Sequence, residues 1–553
     1  MKMKRAAILF LAAVMSIGMT GCGSGRNNSA SSEAYATADG APISLPLQEK
    51  ATLKFLTQSS PLAPEEPNEK LIWQRLEEDT NVHIDWTNYT WDVFAEKKSL
   101  AIASGDLPDA IFDAAMSDYE LLKYAKDGVI IPVEELVDQY MPNLKAIYDA
   151  HPEYRKFVTA PDGHIYSFPW IEELGSGKES IHSIDAIPWI NQVWLKNLGL
   201  EMPTTIDQLT DVLRAFKTQD ANGNGDPNDE IPMSFIYGSG GESLVSLLGA
   251  FGFGDNWDHT VVDNDGKVVF TMSQEGYKEG VQWLAQLYAE GLIDPEVFTQ
   301  DWNTFVAKGA NHLYGIYSTW DMGNVTGFNS GDYSEPEKIT ADYAALPALE
   351  GPSGWKNITR TNGFGLDRGR MVITSANRNL ELTARWIDKL YEPLQSAQNN
   401  WGTYGDEAQK NIFEMNPEGT FLSHLPLGDT SPWELRQKTF VGGPLAVLDS
   451  HYGTHITKPD DAAWRLDLLQ EVYVKDMQMD NNYPRVFYTQ EDQLTLTNIE
   501  TVMFEHAMTK RAEWIQNGKI AEEWDGYLKD LETMGLSEWL RIKQTYYDEF
   551  NQQ

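Results

Sequence analysis

The sequence predicts an α/β protein built on doubly wound sheets and closed by helices at its C-terminal end. Short β-like runs alternate with helical stripes early in the chain, and two amphipathic stripes end it. Apolar residues make up 42% of 553 residues, enough for more than one core of the usual ~100–200-residue domain size. No internal repeat at solenoid or propeller periods interrupts this pattern.

The first β-like run lies at Leu53 to Leu56 in "ATLKFLTQSS". In "EKLIWQRLEEDTNVHIDW", Leu71, Ile72, Trp73 and Leu76 fall on helical spacing before a second strand at "VHIDW". "SLAIASGDLPDAIFDAA" repeats the theme, with a helix ended by Gly105 and Pro108 and a strand over Ala110 to Ala114. In "MPTTIDQLTDVLRAFKTQD", Thr205 caps, Gln208 stands at the capping-box position, and Ile206, Leu209, Leu213 and Phe216 form one face. Near the end, Trp524, Leu528 and Leu531 make one stripe and Trp539, Ile542 and Tyr546 another beyond Gly535.

The N-terminal end carries an address. Lys2, Lys4 and Arg5 precede the apolar run "AAILFLAAVMSIGM", which is short for a bilayer span of about 20 residues and reads as a signal peptide over 1–21. Cys22 is the single cysteine of the chain, so no disulfide forms within it. "MTGC" resembles the lipobox of bacterial lipoproteins, with Met19 in place of the commoner Leu; acyl chains on Cys22 would anchor the protein without a spanning helix. The small, polar stretch that follows, 22–48, reads as a flexible tether. A net charge of −39 argues against nucleic acid as a partner.

Several segments in order resemble the extracellular solute-binding proteins of ABC importers, family 1, in its large Gram-positive lipoprotein branch. They are "MTGC", "SGDLPDAIF", "GHIYSFPW", "PWINQVWLKNLGLEMPTTIDQL", "DANGNGDPNDEIP", "YGIYSTWD" and "RTNGFGLDRG". The resemblance implies a two-lobe, periplasmic-binding-protein-like fold of type II with hinge crossings. It divides the chain into lobe 1 (49–186), lobe 2 (187–346), a hinge recrossing with a return to lobe 1 (347–410), and a return to lobe 2 with the C-terminal helices (411–553). It also implies an oligosaccharide ligand and ABC permease transmembrane subunits as partners. The protein would act as a monomer, lipid-anchored on the extracellular face of the bacterial cell membrane.

The loop "TQDANGNGDPNDEIP" carries the densest run of oxygen ligands. Asp220, Asn222 and Asn224 alternate as in the first half of an EF-hand, Gly225 stands at the sixth position and Asp226 offers a carbonyl at the seventh. Ile231 occupies the twelfth position, so Asn228, Asp229 and Glu230 must close the set early. The expectation is a structural Ca2+; a bare acceptor-rich turn is the alternative.

A sugar site needs flat aromatic surface for C–H faces and planar polar groups for the rim. Local context and the resemblance select Tyr166, Trp170, Trp257, Trp302, Trp320 and Trp355, with Arg360, Asn362 and Tyr452 as polar partners. Each tryptophan competes with an ordinary core role; Trp73, Trp386, Trp464 and Trp539 lie on helical faces and are assigned to packing. His451 and His455 stand four apart, without the glutamate of a zinc-protease helix. No nucleophile elbow, P-loop or C-x-x-C appears, so no catalytic residue is assigned. A surface-tethered glycoside-processing enzyme and a peptide-binding lipoprotein are the alternatives.

Overall fold

The structure, a computed structural model, describes residues 32–35, 37, 42–174, 181–184, 186–238, 245–320, 322–326, 342–359, 365–406, 411–426, 432–477 and 482–552. The signal peptide and Cys22 lie outside the described residues.

Two sheets organise the molecule. In the first, the spatial order is Leu445–Val447, Phe168–Glu172, Leu366–Ile373, Ala110–Phe112, Ala51–Ser59 and Val82–Thr90. Ala51–Ser59 pairs in parallel with both neighbours, whereas Leu366–Ile373 runs antiparallel between Ala110–Phe112 and Phe168–Glu172. Both faces are covered, as parallel pairing requires. Leu53 and Phe55 join Trp73 and Trp386 in one cluster, and Leu56 joins Phe94 and Ile111 in another.

The second sheet has the order Tyr343–Ala345, Ile187–Asn191, Tyr314–Thr319 and Ile231–Ser234. Helix Ile206–Thr218 packs beside it through Ile206, Leu209, Leu213 and Phe216, all buried. Thr205 caps that helix by accepting from Gln208 N at 3.2 Å, while the Gln208 side chain bonds back to Thr204 rather than to Thr205. Three helices end the chain, Gln490–Asn517, Ile520–Met534 and Leu536–Gln552, with Gly535 making the left-handed turn at φ 111°. Trp514, Trp524, Leu531 and Trp539 bury their faces in the second lobe's core, at roughly 2–3 kcal/mol for each large side chain.

Among the described residues, three connections join the lobes. The chain leaves the first sheet after Glu172 and enters the second at Ile187; it returns between Ala345 and Leu366, and it crosses again between Val447 and helix Asp460–Leu468. Strand Leu445–Val447 pairs with Trp170–Glu172. The expected block 411–553 in lobe 2 is corrected here: its first part belongs to lobe 1, because a parallel edge is open beside Phe168–Glu172 and Leu445, Ala446 and Val447 are apolar enough to fill it.

The tether also departs from expectation. Ser32 N donates to both carboxylate oxygens of buried Asp109 at 3.1 Å, and Asn379 bonds Ser32 and Glu33. Tyr35, Ile43 and Leu45 pack against the first core, so the described part of 22–48 lies against lobe 1.

Candidate functional site

Strand direction fixes which sheet edge faces the crossings. Phe168–Glu172, Ala110–Phe112, Ala51–Ser59 and Val82–Thr90 all run the same way, so Glu172, Asp113, Ser59 and Trp91 emerge on the edge from which the connections depart. In open α/β sheets the crevice beyond the carboxyl ends of strands is where ligands bind. In the second lobe the corresponding edge carries Trp320 after Tyr314–Thr319 and Phe235 after Ile231–Ser234.

On the lobe 1 edge lies a narrow, open cleft lined by Gln58, Ser60, Lys70, Trp91, Asp113 and Phe440 among others. Trp91 stands at the start of helix Trp91–Ser104 and is 38% exposed, leaving ring surface at the rim. Asp113 Oδ1 accepts from Arg370 Nη1 at 2.8 Å and from Gly443 N at 3.3 Å, and among the described residues its Oδ2 takes no donor. Gly443 has φ 80°, and a Cβ there would meet the Phe112 ring at 2.0 Å, so only glycine lets that loop approach the strand end. Lys70 is 5% exposed and donates to Phe440 O at 2.9 Å; burial lowers its ammonium to about 8.

The wall continues from this pocket. Arg370 lies 6.0 Å from the Trp170 ring. Trp170 and Tyr452 pack on one cluster, and Tyr452 and Trp320 on the next, which also holds Leu174, Ile181, Ala462 and Leu466 from two crossings. The Arg465 guanidinium stacks 3.7 Å from the Trp320 ring and donates to the carbonyls of Trp320 and Ile184. Glu172 is buried, which pushes its carboxyl up; His182 at 3.7 Å, Arg436 and the Asn400 amide at 2.7 Å outweigh that and hold it below the usual range. Burial and then Glu172 push the Tyr452 hydroxyl well up, and that hydroxyl is buried without a hydrogen-bond partner among the described residues.

Of the sequence-selected residues, Trp170, Trp320 and Tyr452 therefore come together. Tyr166 does not: it is 9% exposed, packs in a lobe 1 core cluster and donates to Asp162 at 2.7 Å, so it is corrected to a packing residue. Trp257 is 51% exposed on lobe 2, and Trp302 begins helix Trp302–Ala310 with its ring 6.3 Å from Phe305. Trp355 leans on Phe253 at 5.8 Å with its indole N–H buried and unpartnered among the described residues. Arg360 and Asn362 lie outside the described residues. Gln58, Ser60, Trp91, Asp113 and Phe440 line this edge and were not selected from the sequence; Gln58 and Ser60 stand just beyond the predicted run Leu53 to Leu56, and Asp113 falls inside the predicted strand Ala110 to Ala114.

The acceptor-rich loop lies apart from this edge, between helix Ile206–Thr218 and strand Ile231–Ser234. Asp220 accepts from Gly225 N, Asn222 from Asn224 N and Asn224 from Asp226 N, which winds the turn around its own oxygens. Asp229 accepts from the Asn222 and Asn224 amides, and Glu230 from Ala221 N and Asn222 N. Asn228 spends its donors on Asp226 and sits outside this inner set. Asp220 Oδ1 and Glu230 Oε2 are buried with no hydrogen-bond partner among the described residues. Two orphaned carboxylate oxygens beside hard amide oxygens fit a calcium ion.

Two α/β lobes, three connections and a polar, aromatic-lined crevice at the facing strand ends define a two-lobe binding protein. The chain belongs to the bacterial extracellular solute-binding protein family, whose model matches residues 63–397. It is 59% identical, over 96% of both chains, to the fructooligosaccharide ABC transporter substrate-binding protein FusA of Streptococcus pneumoniae serotype 4. The structure of S. pneumoniae FusA in complex with kestose matches with a TM-score of 0.85 at 60% identity, covering 90% of this chain and 99% of that one. An EF-hand mutant of FusA in complex with fructo-nystose matches equally well. An extracellular solute-binding protein from Bifidobacterium longum subsp. infantis matches with a TM-score of 0.77 at 25% identity, covering 93% of this chain and 99% of that one. Among the described residues, no helix is long and apolar enough to cross a membrane.

Proposed function

We propose that this chain is the substrate-binding lipoprotein of an ABC importer, and that its ligand is a short fructooligosaccharide held between the lobes. The observation that carries this reading is the identity to FusA over nearly the full length of both chains. The crevice chemistry supports it. Asp113 offers a free carboxylate oxygen to a sugar hydroxyl, Trp91 offers a flat face, and Trp170, Trp320 and Tyr452 extend that surface toward the second lobe. Trp257, Trp302, Trp355, Arg360 and Asn362 remain candidates for the outer sugar units.

The mechanism is closure about the three connections. Contacts from both edges to one ligand favour the closed form by their differential affinity, and the permease subunits read the closed shape. Cys22 supplies the acyl anchor on the extracellular face. Asp220, Asn222, Asn224 and the Asp226 carbonyl, closed by Asp229 and Glu230, hold a Ca2+ that neutralises the loop's carboxylates and has no part in ligand chemistry.

Thermal shift with kestose, maltotriose and trigalacturonate, followed by calorimetry, tests the ligand class. Kestose at about 100 times its Kd raises stability by about 2.7 kcal/mol, and the other two sugars give no shift. A shift with maltotriose or trigalacturonate alone sinks the fructan reading, and release of shorter sugars sinks the binding-only reading.

A further inference from the structure

Helix Trp91–Ser104 buries two side chains, Phe94 and Lys98, one turn apart on the same face. An ammonium at a core-facing position loses its hydration and needs oxygen partners. Lys98 is 3% exposed, and its Nζ donates to Ala114 O at 3.0 Å, to Ala115 O at 3.4 Å and to Glu120 Oε2 at 3.2 Å. Among the described residues, no other side chain donates to either of those carbonyls.

Both carbonyls belong to the turn that begins at Asp113. Asp113 and Ala115 each have φ 45°, a left-handed conformation that L side chains adopt against steric cost. The turn is fastened from outside. Gln58 Nε2 donates to Asp113 O at 2.8 Å, Ala114 N donates to Arg370 O at 2.7 Å, and Met116 N donates to Gly369 O at 3.0 Å. A Cβ on Gly369 would meet Met116 O at 1.9 Å. Glu120, the third partner of Lys98, completes the capping box of Ser117 at the start of the next helix.

We infer that Lys98 is a positioning residue for ligand binding. By drawing the Ala114 and Ala115 carbonyls inward it holds the turn left-handed, and that conformation sets the Asp113 carboxylate against Gly442 and Gly443 with one oxygen left for the ligand. A turn relaxed to negative φ swings that side chain out of the pocket. The inference deepens the fructooligosaccharide reading and rests on it for the identity of the ligand.

The test uses the mature chain with Lys98→Met, Lys98→Arg, Asp113→Asn and the Lys98→Met/Asp113→Asn pair. Without ligand, Lys98→Met accelerates amide exchange at Ala114 and Met116 by more than about tenfold while Phe55 and Ile111 are unmoved, and Lys98→Arg stays within roughly threefold of wild type. With kestose, Lys98→Met weakens affinity roughly 10–100-fold, but adds less than about threefold in the Asp113→Asn background because it acts through that carboxylate. Unchanged exchange, or additive losses of affinity, overturns the inference. Should Lys98→Met not fold, Ala115→Gly is added, since glycine takes φ 45° freely; restored folding with restored exchange protection supports the inference, and restored folding without it overturns it. A wild-type chain that binds no fructan fails the functional reading alone, because the exchange arm needs no ligand.

Discussion

The loop at Thr218–Pro232 and the pocket at Asp113 are both built from oxygen-bearing side chains on tight turns, yet they are made in opposite ways. The loop draws its oxygen-bearing side chains from eleven consecutive residues, Asp220 to Glu230, and satisfies most of them with its own backbone. The pocket draws Gln58, Trp91, Asp113 and Phe440 from segments spread over nearly 400 residues, and buries a lysine to join them. A local cluster stabilises the segment that contains it. A cluster assembled across a sheet edge depends on the whole lobe, and is therefore free to face a second lobe and a ligand between them.

The largest effect that separates the two regions is expected at Asp113. Asp113→Ala removes the carboxylate offered to the ligand and leaves Arg370 to pair with Asp367 alone, so kestose affinity falls by about 3 kcal/mol, roughly 100-fold, by calorimetry. Asp229→Ala, in the loop, leaves that affinity within about twofold. Equal losses at the two positions would erase the distinction.

Lys70 gives the pocket a pH signature. Its ammonium is held at about 8 in the folded chain against 10.5 in the unfolded one. Between those values the unfolded chain binds more protons, so stability rises with pH across that window, by up to about 3 kcal/mol. Below about 8 both states are protonated and this dependence is flat. Denaturant melts of wild type and Lys70→Met at pH 7.5 and 10.5 isolate it, because the other titrating groups cancel in the difference; parallel pH slopes for the two chains would refute it.

The same contrast explains what could be read in the sequence. Thr205, Gln208 and the face Ile206, Leu209, Leu213 and Phe216 were legible because capping and helical periodicity are local. The acceptor-rich loop between helix Ile206–Thr218 and strand Ile231–Ser234 was legible for the same reason. Trp170, Trp320 and Tyr452 were selected by context and the family resemblance, and their convergence on the crossings follows from strand order, which local pattern does not encode. Tyr166 misled because an aromatic beside Gly163 and Ser167 looks like a surface residue until lobe 1 closes over it. Strand Ala110–Phe112 stops two residues early, at the left-handed Asp113, and that irregularity coincides with the proposed site. Strand Leu445–Val447 was missed because three residues carry too little pattern to assign a lobe.

Removal of calcium sharpens the loop's side of the comparison. With the ion at about 100 times its Kd, chelation costs about 2.7 kcal/mol of folding stability, read as a lower Tm, while kestose affinity measured below the melt is unchanged. Asp220→Asn and Glu230→Gln reproduce the lower Tm in calcium and abolish its response to chelator. A melt indifferent to chelator returns the loop to the bare turn, and a fall in kestose affinity on chelation joins the two regions that the fold keeps apart.

The smallest effect is expected at Tyr452, where the wall of the crevice passes between the lobes. Its hydroxyl is buried with no partner among the described residues, so an unsatisfied donor is held against Glu172 and the packed crossings. Such a group destabilises a ligand-free lobe and is relieved when a sugar oxygen arrives. Tyr452→Phe keeps the ring and removes the donor. The ligand-free chain then gains about 1 kcal/mol of stability, and kestose affinity falls by about 1 kcal/mol, roughly fivefold, because the hydroxyl no longer meets the ligand. Both changes are needed for a ligand role: a tyrosine that only filled the core would gain the same stability and leave the affinity where it was. A gain in stability with unchanged affinity would confine the ligand to the Asp113 side of the edge, and would make Trp320 and Arg465 part of the hinge alone.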